Sequence, residues 1–299
     1  MSRPAPTDYG HPPAMRLLRL GLALSQRLWP ALAVRAAQRL FGTPLPARRL
    51  RRQRPWPTHW RVERWPFEHA SLTVYQPASV PSAPAVLLLH GWDGHAGQLL
   101  PLAETLAKHG LQPLLVDLPA HGRSAGSVSN LPQFARAVEY VAARWQARGL
   151  ALQAVVAHSL GANAAAHAVS RGLGVQRLVL LAPPASPSEY TRRFARMFGL
   201  HEATRAAMQE RIEAREGILM PQFEPSAVGP RIHVPVLVVH DEDDCINRFA
   251  DGQAYSQAIA GARLHATRGL GHLKLLKDGD VLAQVAGFVT AGATGLNAP

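Results

Sequence analysis

One cysteine, Cys245, occurs in 299 residues, so no disulfide can close within the chain. Stability must come from the core, and no oxidising compartment is required. Charge is sparse too: 17% of residues are Asp, Glu, Lys or Arg, against 47% hydrophobic. That balance excludes a disordered chain or a long coiled coil and supplies a sizeable core. Aromatic residues make up only 6% and are scattered, and no nucleic-acid-binding motif accompanies the net charge of +12. Nucleic acid is therefore not expected as a partner. The positive balance, carried mostly by arginine, reads first as a compositional bias, with attraction to acidic lipid as the functional alternative. Long apolar runs are absent as well. In MRLLRLGLALSQRLWPALAVRAAQRLFGTP, Arg19, Gln26, Arg27 and Pro30 interrupt the leucines, leaving a stretch too short to cross a bilayer. A secretory signal would need an unbroken apolar region and a small-residue cleavage site, and the match is poor.

What is present begins with a basic helical segment and linker, residues 1–55. Residues 1–15, rich in proline and polar side chains, read as a mobile terminus. Pro30 fits the first turn of a helix, Gly42 its end and Pro44 its stop. The segment reads as a pair of helices packed on the main domain. The alternative is a basic amphipathic anchor, which makes residues 15–55 a candidate peripheral membrane contact. The run ARRLRRQRPW, Ala47–Trp56, is read as a linker, with contact to lipid headgroups as the second option. The expected location is the cytoplasm, with membrane association as the variant.

Residues 56–299 read as one α/β domain. WRVERWPFEHASLTVYQP suggests two strands around a turn near Glu68 and His69. Continuous apolar runs follow at Ala85–Gly91, Leu111–Pro119, 151–159, Arg177–Pro184 and Pro235–Asp244, as expected of strands buried on both faces. Helical patterns alternate with them, at 97–109, 131–148, after Ser159, and near 249–260 and 278–290. A short strand is expected near 262–267. This rhythm implies a mostly parallel sheet flanked by helices on both faces, with an antiparallel hairpin at one edge. Residues 185–230 break the rhythm with helices and no strand, and read as a helical cap insertion over a pocket. Phe194, Met197, Phe198, Leu200 and Met220 either line that pocket or form the cap's own core.

In such sheets, reactive groups collect on loops after the strands. The stretch AHSLG puts Ser159 at a strand-to-helix junction, with small neighbours Ala157 and Gly161 where a sharp turn demands them. A serine hydroxyl needs a base, and the base an orienting acid. Of fourteen histidines, His272 stands out, in the glycine-rich RGLGHLKLL between the last strand and the last helix. His265 lies inside a strand, His90 at a strand end as a structural residue, and His158 is expected to point away from Ser159 and serve packing. Four acids, Asp241, Glu242, Asp243 and Asp244, crowd the loop after VLVVH. Backbone N–H groups of Leu160 and Trp92 are the candidate donors for an oxyanion.

The set HGW (His90–Trp92), DLPAHGRS (Asp117–Ser124), AHSLG (Ala157–Gly161), HDEDD (His240–Asp244) and GH (Gly271–His272), in this order, resembles the α/β-hydrolase superfamily over about residues 60–292. The resemblance implies the α/β-hydrolase fold, with Ser159 as nucleophile, Asp244 as acid and His272 as base. It leaves Asp241 and Asp243 as runners-up for the acid, and makes Asp117 a turn-former. Ala157 stands where the usual elbow has glycine. The implied activity is serine hydrolysis of carboxylic ester or thioester bonds of a small-molecule acyl substrate, through an acyl-enzyme. No metal or organic cofactor is implied. A carbon–carbon bond hydrolase with the same triad is the alternative within the fold, and a catalytically silent binding protein the alternative outside catalysis.

Overall fold

A computed structural model of the chain describes residues 13–44, 55–78 and 83–291. The terminus expected to be mobile, residues 1–15, and the basic run 47–56 lie largely outside the described residues.

Eight strands form one sheet: β1 (Trp60–Phe67), β2 (Ala70–Pro77), β3 (Ala85–Leu89), β4 (Gln112–Asp117), β5 (Leu152–His158), β6 (Arg177–Leu181), β7 (Val236–Asp241) and β8 (Arg263–Thr267). Their order is β1-β2-β4-β3-β5-β6-β7-β8. The β1–β2 hairpin turns at Glu68, which adopts a positive φ, and sits antiparallel at one edge. From β4 onward the pairing is parallel. Strands β3, β4, β5 and β7 are buried at every position, which is why they read as unbroken apolar runs rather than alternating ones.

Alternate residues of each strand serve opposite faces. Val86, Leu88, Val156, Val179 and Val239 meet the helices Leu100–Lys108 and Gly279–Thr290 through Leu102, Leu106, Val281 and Val285. The other face carries the helices Leu131–Gln146, Leu160–Ser170 and Phe249–Ala258. The helix Leu160–Ser170 is buried from Gly161 to its end, so its alanines matter: bulkier side chains would hold it off the strands. Truncating one core leucine, such as Leu88 (fully buried), would cost about 2–5 kcal/mol. Because the strands run parallel, the loops after β3, β5, β7 and β8 emerge together at one edge of the sheet.

The chain divides into two compact units, one of residues 43–187 and 219–299 that holds the sheet, the other of residues 1–42 and 188–218. In the second unit the helices Pro13–Leu28 and Pro30–Phe41 are separated at Trp29, because Pro30 has no N–H to continue the first helix. The helix Pro30–Phe41 packs on Pro13–Leu28 and on Glu202–Glu216. Gln26, buried, ties them: its Oε1 accepts from the His201 N–H at 2.7 Å and its Nε2 donates to the Gly199 carbonyl at 3.2 Å. Phe194 stacks edge-on with Phe41 at 5.2 Å and against Phe198 at 4.6 Å, so these two of the candidate lining residues belong to that unit's own core. Met197 is 53% exposed.

Candidate active site

Ser159 follows β5 with φ 53° and ψ −127°, a conformation that costs a non-glycine residue of order 1–3 kcal/mol and persists only when its surroundings enforce it. Here they do. The Ser159 N–H donates to the Leu181 carbonyl at 2.9 Å, and its carbonyl accepts from the Ala162 N–H at 2.8 Å. The corner is tight enough that a Cβ at Gly161 would fall 2.4 Å from the His90 carbonyl oxygen, and one at Gly91 would fall 2.6 Å from the Ser159 Cβ. Ala157, by contrast, fits fully buried within β5, opposite Leu89 and Leu180.

The loop after β7 brings Asp244 to His272, with Oδ2 accepting from Nδ1 at 2.7 Å. Its other oxygen accepts from the Ile246 N–H at 2.8 Å and the Asn247 N–H at 3.0 Å. His240 Nε2 approaches Oδ2 at 3.5 Å. Burial alone would raise the Asp244 carboxyl. The hydrogen bonds from His240 and His272, the His272 charge and the Ile246 N–H outweigh it and hold the carboxyl well below the usual range. Asp244 is therefore ionised throughout the working pH range. The neighbouring acids have other partners. Asp241 accepts from the Asp243 N–H, the Thr267 hydroxyl and the Leu270 N–H. Asp243 accepts from the Gly269 N–H at 3.1 Å. Both shape the turn and neither faces His272.

Two further side chains join the cluster that the sequence did not single out for it. Asn247, buried, donates from Nδ2 to the Ala182 carbonyl at 2.8 Å and to Ser159 Oγ at 3.4 Å. His158, expected to serve packing, packs its ring 4.5 Å from that of His272, with Nε2 3.0 Å from the His272 carbonyl oxygen. The carbonyl can only accept, so Nε2 carries the proton. Nδ1 is buried without a partner among the described residues. Burial first, then the nearby His272 charge, lowers His158 to about 3. Among the described residues Ser159 and His272 do not hydrogen-bond to each other; such bonds are commonly long in unliganded enzymes and tighten with substrate.

On the other side of Ser159 lies the loop after β3. The Gly91 carbonyl is held by the Gly94 N–H at 3.1 Å and by His90 Nδ1 at 2.7 Å. His90 Nε2 accepts from the Leu118 N–H at 2.9 Å, so Nδ1 is the protonated nitrogen. In a planar trans peptide, fixing the Gly91 carbonyl turns the Trp92 N–H to the opposite side. The Trp92 ring is anchored against His121 at 4.9 Å and Phe134 at 5.9 Å. Leu160 opens the helix after Ser159, where the first N–H groups have no intrahelical acceptor. Asp117 braces this region: it accepts from the Tyr75 hydroxyl at 2.6 Å and from the Ala96 and Arg123 N–H groups at 2.7 Å. Among the described residues no group of three or more His, Cys, Asp or Glu side chains is arranged to hold a metal ion.

The family profile described as serine aminopeptidase, S33, matches residues 81–222. A pimeloyl-[acyl-carrier protein] methyl ester esterase of Xanthomonas campestris pv. campestris (strain B100) is 40% identical over 103 residues, covering 33% of this chain and 36% of that protein. The chain thus spans about a third of the length of the curated relatives it matches first. Among solved structures, an esterase of Pyrococcus furiosus superposes with a TM-score of 0.62 at 18% identity, over 80% of this chain and 97% of that one. Est1E from Butyrivibrio proteoclasticus gives 0.60 at 19% identity, over 78% and 97%. At these identities the likeness is one of fold.

Proposed function

We propose that this chain is an α/β-hydrolase, a serine hydrolase that cleaves carboxylic ester or thioester bonds through an acyl-enzyme. The observation that carries the reading is the 2.7 Å contact of the His272 Nδ1–H with an ionised, buried Asp244, beside a serine on a strained strand-to-helix corner. In this mechanism Ser159 Oγ attacks the acyl carbon while His272 Nε2 takes its proton. Asp244 keeps the other ring nitrogen protonated and stabilises the imidazolium that forms. The Leu160 and Trp92 N–H groups donate to the oxyanion; each such donor is worth about two to three orders of magnitude in rate. His272 then returns the proton to the leaving group, and a water activated by the same nitrogen releases the acid.

The ester chemistry is supported by the relative named as a methyl ester esterase, over the third of the chain that matches it. The substrate is a small acyl compound. The test is a panel of chromogenic esters and thioesters of graded acyl length. A burst of the first product, equal to the enzyme concentration, is expected with the better substrates. Turnover that persists undiminished in Ser159→Ala would reject the reading.

A further inference from the structure

The helix Pro13–Leu28 is turned the opposite way from a helix of an ordinary water-bathed surface. Its polar residue Gln26 is buried and spent on the backbone of residues 199 and 201, alongside buried Leu22. Four of its leucines face outward: Leu17 is 69% exposed, Leu20 67%, Leu24 56% and Leu28 54%. At about 100° per residue these four positions fall on a single stripe along the helix. The stripe continues past the helix break into Trp29, at 59%, and Leu32, at 56%. Single exposed leucines are ordinary, but a contiguous row of this kind marks an interaction surface.

The rim of the row is cationic. Arg16 and Arg27 stand exposed along one flank of the leucine stripe, and Arg35 follows Leu32 on the exposed side of the next helix. No acidic residue occurs between residue 13 and residue 44. Apolar side chains with a tryptophan at their end, bordered by arginines and free of acids, match the boundary between acyl chains and anionic headgroups. The two helices are also too short to do more than lie on such a surface: among the described residues no helix is long and apolar enough to cross a membrane.

We propose that Leu17, Leu20, Leu24, Leu28, Trp29 and Leu32, with Arg16, Arg27 and Arg35, form a face that docks on the surface of an anionic lipid bilayer. The helix stays folded on its own unit through Leu22 and Gln26 and needs no refolding to bind. This goes beyond the chemistry at Ser159 and does not depend on it.

The test is flotation of the full chain with vesicles of phosphatidylcholine alone and of phosphatidylcholine mixed equally with phosphatidylglycerol. Two variants accompany it: Leu17→Ser/Leu20→Ser/Leu24→Ser, and Arg16→Gln/Arg27→Gln. All altered positions are exposed, and circular dichroism verifies that each variant keeps its helix content. The wild-type chain should float with the anionic vesicles and far less with the neutral ones. The leucine variant should bind at least about tenfold more weakly, since most of the inserted apolar area is gone. The arginine pair should weaken binding roughly 25-fold, at about fivefold per arginine. A wild-type chain that fails to float, or a leucine variant that floats equally well, overturns the proposal. So does a sedimenting dimer that the leucine substitutions split without any vesicle binding, which would assign the face to a second copy of the chain.

Discussion

Nδ1 of His272 lies 2.7 Å from Oδ2 of Asp244, although 28 residues separate them in the chain. Of the acids in the same loop, Asp241 and Asp243 are turned to backbone and threonine donors instead. The two kinds of acid should therefore separate in kinetics. Asp244→Asn is expected to lower kcat by about four orders of magnitude, because the imidazole loses its orientation and its counter-charge. Asp243→Asn should leave kcat within a few-fold. Steady-state hydrolysis of one ester by both variants makes the comparison.

Gly91 offers a steric test of the serine corner. A Cβ there would sit 2.6 Å from the Ser159 Cβ and 3.2 Å from its Oγ. Gly91→Ala should displace the nucleophile or the loop that carries the Trp92 N–H, and cut kcat/KM by at least about a hundredfold. Gly287, with open space around it in the last helix, is the control position. Gly287→Ala should leave activity unchanged and raise stability by up to about 1 kcal/mol.

Asn247 holds the Ala182 carbonyl and reaches Ser159 Oγ at 3.4 Å. Asn247→Leu leaves that buried carbonyl without its donor, at a cost of about 1–3 kcal/mol. A urea titration should show the loss as a lower midpoint with an unchanged slope. The same variant should lower kcat with little change in KM, since the group lies by the nucleophile.

His158 sets a pH dependence of stability. Its folded value is depressed from 6.5 to about 3, so between those values the unfolded chain binds more protons than the folded one. Stability therefore rises with pH across that window. It is complete above 6.5 and is progressively lost as pH falls. Moving from pH 8 to pH 5 should remove about 2 kcal/mol through this residue alone. His158→Gln keeps a donor for the His272 carbonyl and cannot ionise. Its urea midpoint should fall less between those pH values than the wild-type midpoint does, and an equal fall in both would remove His158 as the cause.

The sheet was legible because buried parallel strands are apolar at successive positions, so β3, β4, β5 and β7 appear as runs without further information. The serine corner was legible from small residues at a strand-to-helix junction. His158 was legible as a packing residue, but the His272 ring it packs against was not, because that contact joins residues 114 positions apart. Asn247 gave only the signal of an asparagine in a turn, although it follows Asp244 closely in the same loop. Nor could the sequence show that residues 1–42 group with residues 188–218. The contact depends on Gln26 meeting backbone groups, which no periodic pattern encodes.

The central claim is that Ser159 is a nucleophile activated by the His272–Asp244 pair. The most direct measurement is intact mass and peptide mapping after reaction with a fluorophosphonate ester. One adduct per chain is expected, on the peptide that carries Ser159, with labelling lost in Ser159→Ala and slowed by orders of magnitude in His272→Ala. An unlabelled Ser159 in folded protein, or an adduct on another residue that accounts for the ester hydrolysis, would contradict the account.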